Sequence, residues 1–72
     1  SIFDWKQYLT SIILEGQKRN EIRSDVEATK YATLFLALIE GGIMLAKATD
    51  SDRQLFIAID RVKEVIHKEL KT

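Results

Sequence analysis

The sequence predicts an all-α fold of three antiparallel helices, and three observations predict it. The 72 residues contain no proline and only three glycines. No run alternates apolar and polar residues with the period of two that a half-buried strand needs. Apolar residues instead recur at helical spacing over roughly 2–18, 26–48 and 52–70, with polar breaks between.

In the first helix, Ser1 stands as the N-cap. At about 100° per residue, Ile2, Trp5, Leu9, Ile12, Ile13 and Gly16 form one stripe. Phe3 and Leu14 fall on the far side and predict a second neighbour there. The break runs from Gln17 to Val26, with Ile22 as its apolar anchor. Asn20 is placed to end the helix in the left-handed conformation that Asn tolerates better than other side chains. Ser24 with Glu27 makes a candidate capping box for the second helix, and Asp25 is a competing cap.

The second helix has one narrow polar strip. Thr29, Thr33, Glu40 and Lys47 fall within about 40° of one another on the wheel. One flank then carries Leu34, Ala37, Leu38, Gly41, Leu45 and Ala48, and the other Ala32, Phe35, Leu36, Ile39, Ile43 and Ala46. A helix apolar nearly all round is buried on more than one side. A membrane span is not expected, because Glu40 and Lys47 interrupt a short apolar run. After a turn at Ala48–Ser51, Ser51 is the expected cap of the third helix, with Gln54 reciprocating. Leu55, Ile59, Val62, Ile66 and Leu70 form its seam, widened by Phe56, Ala58 and Val65. The short connection makes the last two helices an antiparallel hairpin.

A chain this short has a marginal core when it folds alone. Without cysteine it has no disulfide, and one histidine is a poor start for a metal site. Self-association is the remaining remedy. Two hairpins related by a two-fold axis would make a four-helix dimer interface from Ala37, Gly41, Leu45, Ala48, Leu55, Ile59, Val62 and Ile66. The small residues Ala37, Gly41 and Ala48 share one face and would let a partner backbone come close.

Eleven basic and eleven acidic side chains cancel, so this segment lacks the basic excess of a domain that neutralises DNA phosphates by itself. Apolar content of 46% is too high for a disordered tail. The chain opens on Ser1 directly into an amphipathic run, which points to a piece of a longer protein and shows no signal peptide. The lack of cysteine fits a cytoplasmic location. There is no Ser–His–Asp or Cys–His set and no Gly-rich phosphate loop. Asp50 and Asp52 lack the ligand spacing of an EF-hand. Neither catalysis, a metal nor a cofactor is expected.

Two segments resemble the TetR/AcrR family of transcriptional regulators. Gly16-Gln17-Lys18-Arg19-Asn20-Glu21-Ile22-Arg23-Ser24-Asp25-Val26-Glu27 is similar to the run Gly-Gln-x-x-Gly-Glu-[Phe/Ile]-Arg-x-Asp-Val-Asp that leads into that family's dimerisation helices. Ile39-Glu40-Gly41-Gly42-Ile43-Met44-Leu45-Ala46-Lys47 resembles its Ile-Glu-Gly-x-x-x-Leu-Ala segment. Asn20 stands in place of the usual Gly, and Ala28 where many relatives have Pro. The resemblance implies that residues 1–72 are the C-terminal ligand-sensing and dimerisation end of a repressor. Operator DNA would be bound only by an N-terminal helix-turn-helix domain outside this chain. It also implies an unknown small-molecule effector, with Trp5, Tyr8, Ile12 and Phe35 as candidate pocket residues. The plain alternative for the aromatics is ordinary core packing. Glu40 is either a partner for a cationic effector or a solvated carboxylate, and His67 reads as a boundary residue. At the level of the whole chain, the alternative is a helical homodimeric adaptor that senses nothing.

Overall fold

The computed structural model describes residues 1–72 and contains three α-helices, α1 (Ile2–Lys18), α2 (Ala28–Thr49) and α3 (Arg53–Val65), the last running into a single π turn at Ile66–Leu70. Ser1 caps α1, and the Asp4 carboxylate reaches back to accept bonds from the Ser1 ammonium at 2.9 Å and its hydroxyl at 3.2 Å. The helix ends as the sequence predicts: Asn20 has φ 60°. The Glu21 amide then donates to the Gly16 carbonyl at 2.9 Å, and the Asn20 amide to that of Gln17 at 3.1 Å. These are the two bonds of a left-handed helix ending.

The connector explains the Gly16-Gln17 pair. A Cβ on Gly16 would lie 2.5 Å from the Ile22 δ-carbon, so only glycine lets Ile22 fold back against α1. Gln17 donates through Nε2 to the carbonyls of Arg23 and Val26, both at 3.0 Å. This clamp holds Val26 out of the helix, and α2 begins at Ala28, two residues later than the sequence suggests. Neither Ser24 nor Asp25 caps it. Glu27 is the N-cap, with extended backbone and no side-chain cap bond, and the Asp25 carboxylate is taken by Arg23 at 3.0 and 2.7 Å. Ala28 occupies the first helical position, where a proline would also be tolerated.

Helix α2 closes on Asp50, the second left-handed residue, with φ 51°. Asp52, rather than Ser51, is the N-cap of α3. The Ser51 hydroxyl still accepts from the Arg53 amide at 3.3 Å, while Gln54 accepts from the Thr49 hydroxyl instead of reciprocating. The π turn ends the helix with a bond from the Lys71 amide to the Ile66 carbonyl at 2.9 Å. That wide turn is a feature hydrophobic periodicity does not encode.

Helix α2 is central. It packs against both α1 and α3, whereas α1 and α3 do not pack on each other. The molecule measures 40 × 26 × 14 Å, close to one helix in thickness. Only 10 of 72 residues are buried, as a single layer requires. Domains ordinarily close a core between two layers. Here the core is a cluster where the end of α1, the start of α2 and the tail meet: Ile13, Ala28, Tyr31, Ala32, Phe35, Val65 and Leu70. At the other end α2 and α3 touch through Gly42, where a Cβ would stand 3.0 Å from both the Ala58 Cβ and the Leu55 Cα.

Candidate functional site

Two apolar features are left without cover. The first is a slot between α1 and α3, floored by α2. It holds about 290 Å³, partly open to solvent, and all nine residues around it are hydrophobic. Helix α1 supplies Leu9, Ile12 and Ile13, α2 supplies Phe35 and Ile39, and α3 with its tail supplies Val62, Ile66 and Leu70. Ile22 of the connector completes the lining. The second is an open face of α2 and α3. Ala37, Leu38, Gly41 and Leu45 meet Gln54, Ile57 and Arg61 there, and Ala48 is exposed on the same flank of α2.

The four candidate pocket residues divide. Ile12 and Phe35 come together in the slot. Phe35 is also a core residue, its ring 6.1 Å from that of Tyr31. Trp5 and Tyr8 do not line the slot. They form an edge-to-face pair, centroids 6.1 Å apart, each 58% exposed on the first turns of α1. Neither aromatic belongs to this chain's own core cluster. Tyr8 lies one turn before Ile12, so the pair continues the same side of α1 away from the slot. Phe3 and Leu14 are exposed on the other flank, as the helical wheel indicates.

The eight candidate dimer residues divide as well. Ala37, Leu45 and Ala48 are exposed, and a Cβ on Gly41 would meet nothing within 4 Å. By contrast, Leu55 and Ile59 are half-buried, and Val62 packs against the core cluster. Ile66 rims the slot. The 4-3-4 spacing of these four marks the side of α3 that this chain itself uses. Sequence reasoning missed Ile57, 58% exposed beside Gly41 and Leu45, because it stands alone among polar residues on the helical wheel. Met44, 68% exposed, was missed for a different reason: α2 is apolar nearly all round, so its periodicity did not single Met44 out.

One polar cluster ties the tail to the connector. The Tyr31 hydroxyl donates to Glu69 at 2.9 Å. That bond, with burial and the Glu69 charge behind it, pushes the Tyr31 hydroxyl above the usual phenol range. The Arg23 amide donates to the Leu70 carbonyl at 2.8 Å, and the Thr72 hydroxyl to the Asn20 carbonyl at 3.0 Å. Arg23 holds the Asp25 carboxyl below the usual carboxylate range, chiefly by hydrogen bonding.

Glu40 is solvent-exposed on the polar strip, and His67 is exposed beyond the core. The hydroxyls of Thr10, Ser11 and Thr33 donate to carbonyls of their own helices. No three His, Asp or Glu side chains converge at metal-binding geometry. Helix α2 has the length and mean hydropathy of a membrane span. In this fold it carries the core cluster on one side and the exposed Glu40 near its middle. What the arrangement offers is apolar surface, for ligand or for protein.

Residues 1–64 match a family model described as tetracyclin repressor-like, C-terminal domain. The fold is similar to that of a TetR transcriptional regulator from Chloroflexus aurantiacus J-10-FL, with a TM-score of 0.90 and 28% sequence identity over 97% of this chain. The chain spans 35% of that regulator's length. No curated protein sequence matches it.

Proposed function

From the premise that this chain belongs to the tetracyclin repressor-like C-terminal domain family, we propose that it is the dimerisation and effector-sensing end of a DNA-binding repressor. The observation that carries the reading is the single-layer architecture. A layer 14 Å thick with an apolar α2 flank left open would make half of a helical interface. A second copy related by a two-fold axis would supply the other half, with Ala37, Gly41, Leu45 and Ala48 of α2 and Ile57 of α3 at the seam. Gly41 supports this, since nothing inside the chain requires a glycine there. Leu55, Ile59 and Val62 would act from behind by holding the hairpin together, and Ile66 would join the slot rather than the seam. Operator DNA would be gripped by a domain outside this chain, which is itself charge-neutral. An effector would act through α1, where Trp5, Tyr8 and Ile12 lead through the clamped connector into α2. Helix α2 would serve as core and interface in a soluble, cytoplasmic protein.

The test is sedimentation of the full-length protein together with selection of bound DNA from a random duplex pool. The wild type should be a dimer that selects a sequence with two-fold symmetry. Ile57→Asp would bury an unpaired charge at the seam. It should dissociate the dimer and abolish selection while leaving the helical circular dichroism intact. A wild type that stays monomeric at high micromolar concentration, or selects no sequence, would sink the reading and favour a plain helical adaptor.

A further inference from the structure

We propose that residues 66–72 form a releasable strap. Closed, it fixes the angle between α1 and the α2–α3 hairpin; open, it frees α1 to swing while the hairpin stays folded. The inference goes beyond the reading of this chain as a sensing domain and does not depend on it. The strap also lies outside residues 1–64, the part that matches the family model.

Backbone polar groups need partners, and those of the connector divide into two sets. One set goes to α1. The Glu21 and Ile22 amides donate to the Gly16 carbonyl at 2.9 and 3.1 Å, and the Gln17 side chain donates to the Arg23 and Val26 carbonyls. The other set goes to the strap. The Arg23 amide donates to the Leu70 carbonyl at 2.8 Å. Thr72 donates to the Glu21 carbonyl through its amide at 3.3 Å and to the Asn20 carbonyl through its hydroxyl at 3.0 Å. Ile22 and Lys71 thereby pair as a single antiparallel bridge. Helices α1 and α3 do not pack on each other, so this bridge is the backbone link between the end of α1 and the end of α3.

The strap is lightly held. Of residues 66–72 only Leu70 is buried. The other ties are single hydrogen bonds, among them the one from the Tyr31 hydroxyl to Glu69 at 2.9 Å. Segments with few buried apolar contacts open locally, at less cost than the whole fold. The π turn at Ile66–Leu70 gives the strap its own boundary with α3, closed by the bond from the Lys71 amide to the Ile66 carbonyl. Isolated π turns are rare and recur at functional sites. The hairpin has separate support. Helices α2 and α3 meet at Gly42, where a Cβ would stand 3.0 Å from the Ala58 Cβ and the Leu55 Cα, away from the strap. Opening the strap leaves that contact in place, and it leaves the connector bonded to the end of α1.

The experiment is native-state amide exchange on the full-length protein. The Arg23, Lys71 and Thr72 amides all depend on the strap for their bonds, so they should exchange together and faster than the amides around Gly42. Thr72→Val and Tyr31→Phe each remove one strap bond and keep the apolar bulk. Each should speed those three amides about two- to tenfold, the scale of one net hydrogen bond. The Asn20 and Glu21 amides, bonded to α1, and the amides around Gly42 should keep their rates. A pair of spin labels at Gln7→Cys on α1 and Lys63→Cys on α3, in subunits diluted with unlabelled protein, reads the angle. The distance distribution should be narrow with the strap intact and should broaden when Thr72→Val and Tyr31→Phe are combined. Three strap amides that exchange only as slowly as those around Gly42 would overturn the proposal, since the strap would then open only when everything unfolds. Unchanged spin-label distances in the combined variant, with the three amides accelerated, would overturn its control of α1. Neither readout uses DNA or an effector, so a protein that fails to dimerise or to select DNA leaves the strap standing.

Discussion

Gly41 and Gly42 are neighbours in the middle of α2, and replacing each with alanine should have opposite consequences. In a helix interior, alanine is favoured over glycine by about 0.5–1 kcal/mol, because glycine loses more backbone freedom on folding. At Gly41 nothing lies within 4 Å of the added Cβ. Gly41→Ala should therefore keep the full gain in folding stability. At Gly42 the new Cβ would stand 3.0 Å from the Leu55 Cα, 3.0 Å from the Ala58 Cβ and 3.3 Å from the Gln54 carbonyl. These are backbone atoms and a methyl fixed to backbone, so relief requires α2 and α3 to separate. Overpacking of this kind costs about 1–3 kcal/mol. Set against the same helix gain, Gly42→Ala comes out between neutral and destabilised by about 2 kcal/mol. The two variants should thus differ by about 1–3 kcal/mol, or several degrees in melting temperature for a domain of this size. Denaturant titration of the full-length protein at two concentrations separates folding from association. Gly41→Ala should also weaken the dimer, since its methyl stands on the proposed seam, and sedimentation reads that effect. A Gly42→Ala variant as stable as Gly41→Ala would refute the close approach of α2 and α3. A Gly41→Ala dimer of undiminished affinity would move the seam elsewhere.

Leu70 is 1% exposed at the clasp, so Leu70→Ala should cost about 2–5 kcal/mol in denaturant titration. It should also speed amide exchange at Arg23, whose N–H is held by the Leu70 carbonyl. The cluster around Tyr31 gives a pH dependence of known sign. Its folded-state pKa is raised, so the stability it contributes is complete below the ordinary tyrosine range and falls as pH climbs through the raised value. Asp25 works in the opposite sense: its contribution is present above the ordinary aspartate range and is lost as pH drops through the lowered value. Tyr31→Phe should flatten the alkaline limb of the stability profile and leave the acid limb unchanged. An unchanged alkaline limb would mean that the Tyr31–Glu69 bond does not persist in solution.

The sequence by itself determined what depends on neighbours within a turn or two. Helix number follows from apolar spacing, and the end of α1 at Asn20 from one residue's tolerance of left-handed backbone. The shared face of Ala37, Gly41 and Ala48 follows from the 3.6-residue repeat alone. The motif Gly16-Gln17 was legible as a pattern, but its work was not: seating Ile22 and holding Val26 require a connector folded back in space. Tertiary structure alone decided which apolar stripe faces which neighbour. Helix α2 is apolar nearly all round, so its periodicity marks no preferred side. The near contact of Gly42 with Ala58 and Leu55 turned one side toward α3 and left Gly41 in open space. The same contact drew the regular seam of α3 inward and left Ile57 outside. The slot belongs wholly to this level. Its lining spans residues 9 to 70, and it exists because two helices whose backbones stay apart are pinned to one connector. Local periodicity records where a side chain points on its own helix. Which helix stands opposite is set by packing between distant residues, and three apolar stripes can be paired in more than one way.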